Sequence, residues 1–335
     1  QMSFVEGNPG AILLVEIYGD SANEISDKLN KIKMDADRRQ LGYACVTMED
    51  QKSQDSVWAI RKAGLGLLMS VKGDAKAIPF VEDTAVDPSQ LGDYVRRFDE
   101  IVKAHGTTAG YYGHASVGCL HIRPLVSLKN TEGIRNMVSI ASDVADLVTE
   151  FGGSLSGEHG DGIVRGVWTE KMFGPNLYQA FKEVKQAFDP KGIMNPGKII
   201  DCPPMTENLR FGPAYSVAHM DTTYLNFSAE DGYEGLVEMC NGMGACRKED
   251  GSMCPSFMVT RDEEHSTRGR ANLLRAVLSG KLPKGSMTDH RLYQALDLCL
   301  ECKACKAECS SGVDMAKLKY EFLRRYHSAH GLPLR

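Results

Sequence analysis

The sequence predicts an α+β protein, a small sheet covered by helices up to about residue 200, followed by a small α-helical module built around cysteines. Three observations carry this reading. Short apolar runs of strand length alternate with longer amphipathic runs of helical period through the first part of the chain. That periodicity lapses over 203–225. Beyond the lapse, cysteines crowd into two runs separated by short helices.

In chain order the pattern predicts a strand at 11–18, a helix over about 22–39, a strand at 44–48, a helix at 53–69, a strand at 77–82 and a helix at 88–105. Strands near 107–112 and 117–123 and helices at 131–151 and 176–188 follow. Asp87-Pro88-Ser89 and Asn130-Thr131-Glu132 signal helix starts, because a short polar side chain can accept the orphan N–H groups of the first turn. Asp189-Pro190-Lys191-Gly192 ends the last of these helices, since proline cannot continue it. From Cys202-Pro203-Pro204 to Thr223 the sequence reads as a linker crossing the surface. Short helices are then expected at 234–239, 267–278 and 289–298, and a last one from Asp314 to about His327. The expected division is 1–202, a linker at 203–225, and 226–335.

With 335 residues, 42% apolar and 25% charged, the composition is that of an ordinary globular protein larger than one average domain. A net charge of -5 and the lack of a basic tract give no reason to expect nucleic acid or an anionic membrane surface. No apolar run approaches the roughly 18 residues of a membrane span. Gln1-Met2-Ser3 begins no secretory signal, so free thiols in a reducing cytoplasm are expected, with a peripheral place at the inner membrane as the variant. The chain opens shortly before a strand-like run and stops after a helix, which reads as an internal portion of something longer.

The run Cys299-Leu-Glu-Cys302-Lys-Ala-Cys305-Lys-Ala-Glu-Cys309 has the intervals of a bacterial ferredoxin iron–sulfur motif. Upstream stand Cys240-Asn-Gly-Met243-Gly-Ala-Cys246 and Cys254-Pro255. In two-cluster ferredoxins the last cysteine of each run ligates the other cluster. Crossing over in this way gives a complete four-thiolate site from Cys299, Cys302, Cys305 and Cys254. Cys240, Cys246 and Cys309 make a site with three thiolates, because Met243 occupies the middle position. A 4Fe-4S centre is expected at the first; a 3Fe-4S centre, a labile 4Fe-4S centre or none is expected at the second. Zinc is the alternative occupant, although structural zinc sites usually pair two Cys-x2-Cys knuckles across a longer gap. Cys45, Cys119 and Cys202 read as ordinary thiols.

The first part has its own chemistry. Gly113-His114-Ala-Ser-Val-Gly-Cys-Leu-His121 places two imidazoles across a glycine-bearing turn, and Gly157-Glu158-His159-Gly160-Asp161-Gly162 sets an acid and a third imidazole between glycines. Two histidines and a carboxylate are a common divalent-metal set that leaves positions open for substrate. Such a cation polarises a hydroxyl and a carboxylate while the remaining histidine removes a proton. His105, His219, His265, His290, His327 and His330 read as ordinary core or surface residues.

These two motifs, with Asp189-Pro-Lys-Gly-Ile-Met-Asn195-Pro-Gly-Lys198, resemble the C-terminal domain of FAD-linked oxidases of the vanillyl-alcohol-oxidase type, the group of D-lactate dehydrogenases, glycolate oxidase subunits and D-2-hydroxyglutarate dehydrogenases. The resemblance covers about residues 1–200. The cysteine runs and Ser266-Thr-Arg-Gly-Arg-Ala271 are similar to the iron–sulfur half of large fused enzymes of the group. The resemblance implies a ferredoxin-like cap sheet, with His114, His121 and Glu158 as divalent-metal ligands (zinc, manganese or iron) and His159 as catalytic base. It further implies Arg61, in Trp58-Ala-Ile-Arg61, as a carboxylate-binding residue with Lys76 as a second candidate, and Asn195 near the flavin. FAD itself is expected to bind mainly to a preceding domain, since no glycine-rich dinucleotide motif occurs here.

The implied activity is oxidation of a D-2-hydroxy acid such as D-lactate, glycolate or D-2-hydroxyglutarate to the 2-keto acid through FAD. Electrons would then pass through iron–sulfur centres to a quinone, a cytochrome or an electron-transfer flavoprotein. Two alternatives stand beside it: an electron-relay and docking module without its own catalysis, and a flavin oxidase carrying a structural zinc site.

Overall fold

The computed structural model describes residues 4–283 and 285–333, so the opening Gln1-Met2-Ser3 lies outside it. The chain divides into two compact units, 1–66 and 67–335.

In the first unit, α1 (Ala22–Arg38) starts at Ser21, whose Oγ accepts the Glu24 N–H at 3.3 Å. Its last turn is closed by Arg38 and Arg39 on Asp35. The expected strands at 11–18 and 44–48 do not form. Both segments lie outside any ladder among the described residues, and Leu13 and Tyr18 are 74% and 73% exposed. A β-branched, apolar run supplies strand propensity, but a strand exists only through the hydrogen bonds of a neighbour. α2 (Gln51–Met69) runs from this unit into the next, close to the helix expected at 53–69.

The second unit is organised on one strand. β4 (Cys119–Ser127) pairs antiparallel with β1 (Ala75–Ala77), β2 (Thr84–Ala85) and β3 (Ala109–His114). The strand expected at 77–82 is thus a correction: only Ala77 of it is in a strand, as the end of β1, and the rest lies in no strand before β2. Pro79 has no N–H to give a ladder, and Asp83 turns the chain with φ +87. β3 and β4 meet the expected pair, with Tyr112 opposite His121 and His114 opposite Cys119. Gly118 closes their turn at φ +66, where a Cβ would stand 1.8 Å from the Val86 carbonyl oxygen, so no other residue fits.

Two helices bury their apolar stripes on this sheet. α3 (Leu91–Ala104) contributes Tyr94, Phe98 and Val102 at helical spacing; α4 (Thr131–Glu150) contributes Met137, Ile140, Ala141, Val144 and Val148. They close a core with Phe80, Ile122 and Val126. Asn130 starts α4 as expected, accepting the Gly133 N–H at 2.7 Å, whereas Asp87, which accepts the Ser89 N–H at 2.8 Å, caps a short 3-10 turn at Pro88–Gln90 that leads into α3. α5 (Thr169–Phe188) begins earlier than expected and bends at Gly174-Pro175, so the expected span corresponds to its second limb.

The 203–225 segment forms no helix or strand, yet it is not a bare crossing of the surface. Met205 is buried in the first core, where Leu209 and Phe211 also pack, while Val217 and Met220 pack on a second core. That second core is built from Phe227, Tyr233, Leu274, Leu296, Leu318 and Phe322. Around it stand α6 (Gly232–Glu238), α7 (Pro255–Thr260), α8 (Thr267–Leu278), α9 (His290–Asp297), α10 (Ala304–Glu308) and α11 (Met315–His330). α7 and α10 are one-turn helices too short to leave a periodic signature. No helix of the described residues is long and apolar enough to cross a membrane.

Candidate functional site

Strand alternation puts Cys119, His121 and Arg123 on one face of β4, while Leu120 and Ile122 turn into the core on the other. Across the ladder, Tyr112 and His114 of β3 share the face of His121. The loop 153–162 is bound to the sheet beside them. Ser154 and Ala85 exchange both backbone hydrogen bonds, at 2.8 and 2.9 Å, and the Gly157 N–H reaches the Asp83 carbonyl at 2.7 Å. A Cβ on Gly153 would lie 2.3 Å from the Ala85 oxygen, which is why the loop enters through a glycine.

The result is a convergence on one carboxylate oxygen. Glu158 Oε1 lies 3.0 Å from His121 Nε2, 3.2 Å from His159 Nε2 and 3.7 Å from His114 Nε2. The His121 and His159 rings are stacked at 4.8 Å, and His114 meets His121 edge-on at 5.4 Å. One donor atom each from Asp83, His121, Glu158 and His159 can be chosen so that all lie within 4.8 Å of one another. His121 is buried while Glu158, His114 and His159 are open to solvent, which leaves an approach for a small molecule.

Burial lowers the His121 pKa, so the imidazole is held in the neutral form that ligates a cation. Nitrogen and carboxylate donors in this number suit zinc, manganese or iron. The residues therefore fit a divalent metal.

Two acidic residues beneath the site have no signature in the sequence. Asp83 is fully buried and its carboxylate accepts the backbone N–H groups of Glu158 at 3.1 Å and His159 at 2.8 Å, the Ser156 hydroxyl at 2.9 Å and the Cys119 thiol at 3.4 Å. Burial opposes its charge, but the bonds from His159, Ser156, Glu158 and Cys119 together hold its pKa below the ordinary carboxylate value. Glu82 is buried against Arg123, and its Oε1 lies 3.4 Å from His159 Nδ1. Arg165 donates to the Glu82 carbonyl. Spacing alone could not find this pair, because Glu82 and Asp83 reach the site through a turn in the chain. The Cys119 thiol is pushed up to about 12 by burial and by Asp83, so it stays protonated.

The other expected residues lie apart from this convergence or are described with another unit. Arg61 is a half-buried residue of α2 within the first unit. Lys76, in β1, donates to the Val71 carbonyl at 2.6 Å and touches Met239 Sδ at 3.8 Å, and burial lowers its pKa. Asn195 sits at φ +48 in the loop after α5, accepting from Lys198 at 3.1 Å.

That loop is organised by Asp189, whose carboxylate accepts the N–H groups of Ile193 at 2.9 Å and Met194 at 2.8 Å and the Lys185 ammonium at 2.7 Å. Lys185 first, then those N–H groups, hold Asp189 down to about 2 against the cost of burial. A carboxyl lowered in the fold stabilises it above its unfolded value near 4, and the contribution is lost as pH falls toward about 2. Protection against hydrogen exchange over 189–198, relative to the intrinsic amide rate, is therefore expected to fall across that acid window. Asp189→Asn is expected to show the loosened loop at neutral pH; equal protection of variant and wild type there would refute the assignment.

In the second core, Cys254, Cys299, Cys302 and Cys305 line one small cavity, together with Arg270, Thr267 and Met315. Backbone N–H groups already point at its sulfurs: Thr267 to Cys254 Sγ at 3.0 Å and Met315 to Cys305 Sγ at 3.4 Å. Cys240 and Cys246 are buried and Cys309 is half-buried close by. Met243 takes a hydrogen bond on Sδ from Ser310 at 3.3 Å, beside Cys309. The Arg268 N–H donates to Cys246 Sγ at 3.3 Å, and the neighbouring Cys254 thiol together with this bond lowers the Cys246 pKa against burial. N–H donors aimed at clustered sulfurs suit an anionic metal–sulfur group.

Residues 3–199 match the family model described as FAD linked oxidases, C-terminal domain, and residues 235–313 match that of the 4Fe-4S dicluster domain. Among curated relatives, D-2-hydroxyglutarate dehydrogenase of Pantoea ananatis is 32% identical over 371 residues, covering 96% of this chain and 35% of the relative. The protein of the same name from Escherichia coli is 31% identical, again over 96% of this chain and 35% of its own length. A D-lactate dehydrogenase of Archaeoglobus fulgidus is 30% identical over 198 residues, 58% of this chain and 40% of that protein. The chain thus spans about a third of the length of the D-2-hydroxyglutarate dehydrogenases it is similar to.

Proposed function

Through residues 3–199 this chain belongs to the family of the C-terminal domain of FAD linked oxidases, and from that premise we propose that its protein oxidises a small D-2-hydroxy acid to the 2-keto acid and passes the electrons through iron–sulfur centres. The single observation that carries the reading is the convergence of three imidazoles on Glu158 Oε1. When bound, the FAD supplies the hydride acceptor, the divalent cation a Lewis acid and the iron–sulfur centre a one-electron carrier.

The chain's own residues do the rest. His114, His121 and Glu158 hold the cation, with His121 kept neutral by burial. His159 takes the hydroxyl proton at Nε2, because Nδ1 faces Glu82 and that carboxylate favours the tautomer with Nδ1 protonated. Asp83 fixes the backbone on which both Glu158 and His159 stand. Arg61 is assigned to the substrate carboxylate, Lys76 is kept as the second candidate for it, and Asn195 is placed toward the flavin, all on the resemblance of their segments. Cys254, Cys299, Cys302 and Cys305 hold a 4Fe-4S centre; Cys240, Cys246 and Cys309 hold a second centre of three thiolates.

On this reading residues 1–202 belong to the oxidase, 203–225 connect, and 226–335 form the relay, in keeping with the two separate cores. The protein would work in the reducing cytoplasm and deliver electrons to a quinone, a cytochrome or an electron-transfer flavoprotein. D-2-Hydroxyglutarate heads the substrate candidates, since relatives with that name cover nearly all of the chain; D-lactate and glycolate follow. One observation favours a second reading of the relay: four thiolates around one cavity are also a structural zinc set.

The test uses the full-length protein, anaerobically, with each acid in turn. Flavin bleaching by one of them, followed by a reduced iron–sulfur EPR signal, is the expected result, and chelation of the divalent cation is expected to abolish bleaching until metal is restored. Stoichiometric zinc with no paramagnetic centre would overturn the relay. Bleaching that survives complete metal removal would overturn the role of His114, His121 and Glu158.

A further inference from the structure

Arg270 is the largest of the fully buried side chains, 1% exposed, and it lines the four-cysteine cavity. Its Nε donates to the Ala295 carbonyl at 2.9 Å and an Nη to the Ser256 hydroxyl at 3.0 Å. Ser256 follows Cys254-Pro255, and Ala295 stands one turn before Cys299. The guanidinium therefore ties the two cysteine runs to each other through α8. Its neighbours on the same module have carboxylates, Arg268 pairing with Glu263 and Lys319 with Glu301. Among the described residues no carboxylate pairs with Arg270.

A buried cation without a counter-charge is strongly unfavourable. Glu301, the one carboxylate among the residues lining the cavity, is paired with Lys319, which leaves the cysteine sulfurs as the anionic partners of Arg270, and a cluster bound by four thiolates carries net negative charge that grows by one on reduction. A fixed positive charge in a low-dielectric wall stabilises the reduced form more than the oxidised one.

We infer that Arg270 is the counter-cation of the four-thiolate centre, a positioning residue that joins the two cysteine runs and raises the reduction potential of the cluster they bind. The inference rests on the cluster reading above and gives a role to one arginine of the Ser266–Ala271 run.

The experiment is an EPR-monitored redox titration of the full-length protein as wild type, Arg270→Lys and Arg270→Gln, with iron and zinc quantified in each. Arg270→Gln is expected to make one-electron reduction at least tenfold less favourable, a midpoint about 59 mV lower. Arg270→Lys keeps the charge and is expected to stay close to wild type. Loss of the cluster in Arg270→Gln alone, with Arg270→Lys loaded at the wild-type potential, supports the same conclusion. Equal midpoints for Arg270→Gln and wild type overturn it, as does an Arg270→Lys variant that shifts, or fails to load, as badly as Arg270→Gln, because the residue would then act through shape alone. A wild-type protein holding zinc and no reducible centre overturns the cluster reading itself and this inference with it.

Discussion

His159→Ala in the full-length protein is expected to lower kcat on the 2-hydroxy acid by about 10²–10⁴-fold, the usual contribution of a positioned general base, while the divalent cation stays bound. The geometry gives His159 two possible employments. Its Nε2 is 3.2 Å from Glu158 Oε1, close enough to belong to the group that could hold a metal, and its Nδ1 is oriented by Glu82 at 3.4 Å, the arrangement of a base held in one tautomer. Metal content separates them. If His159 is the base, the variant binds the cation stoichiometrically and loses turnover. Should metal and activity disappear together, His159 is a ligand; full turnover in the variant would remove it from the chemistry.

The second large effect is expected at Asp83. Asp83→Asn replaces a carboxylate that accepts two backbone N–H groups, a hydroxyl and a thiol, and the new amide turns an NH2 group toward some of those donors. Charged hydrogen bonds of this kind contribute about 1.5–3 kcal/mol each in mutational series, though not additively, so a loss of about 3 kcal/mol in urea unfolding is expected. The lowered pKa of Asp83 sets the sign of the pH dependence. Its stabilisation is complete above the unfolded value near 4 and is lost as pH falls through the lower folded value, so the variant is expected to be less sensitive to acid than wild type. Because Glu158 and His159 hang from that carboxylate, metal affinity is expected to fall as well. Unchanged unfolding with unchanged metal affinity would show that the loop is held by its glycine-bearing backbone alone.

Much of the helical framework was legible because its signals are local. Asn130 caps the helix it is expected to start, Asp87 caps the short turn that leads into α3, α8 occupies the expected 267–278, and Asp189 ends α5 where proline and glycine follow. Strands were less legible for the opposite reason. The runs at 11–18 and 44–48 have strand composition and no ladder, and 77–82 broke because Pro79 cannot donate and Asp83 adopts a left-handed backbone. Pairing partners are distant in sequence, so composition cannot report whether one is present.

By itself the sequence determined the α+β class, the two cysteine runs with methionine at the middle position of one, and the short motifs carrying His114, His121, Glu158 and His159. Each of these is written in neighbouring residues and survives any arrangement of the rest. Only the tertiary structure decided that Asp83 and Glu82 underlie the site, that Lys76 spends its ammonium on the Val71 carbonyl, and that Arg270 stands buried and without a carboxylate beside Cys254, Cys299, Cys302 and Cys305. The physical reason is burial. A buried charge persists only where the fold brings it partners, and partners supplied from other segments leave no mark on the local sequence.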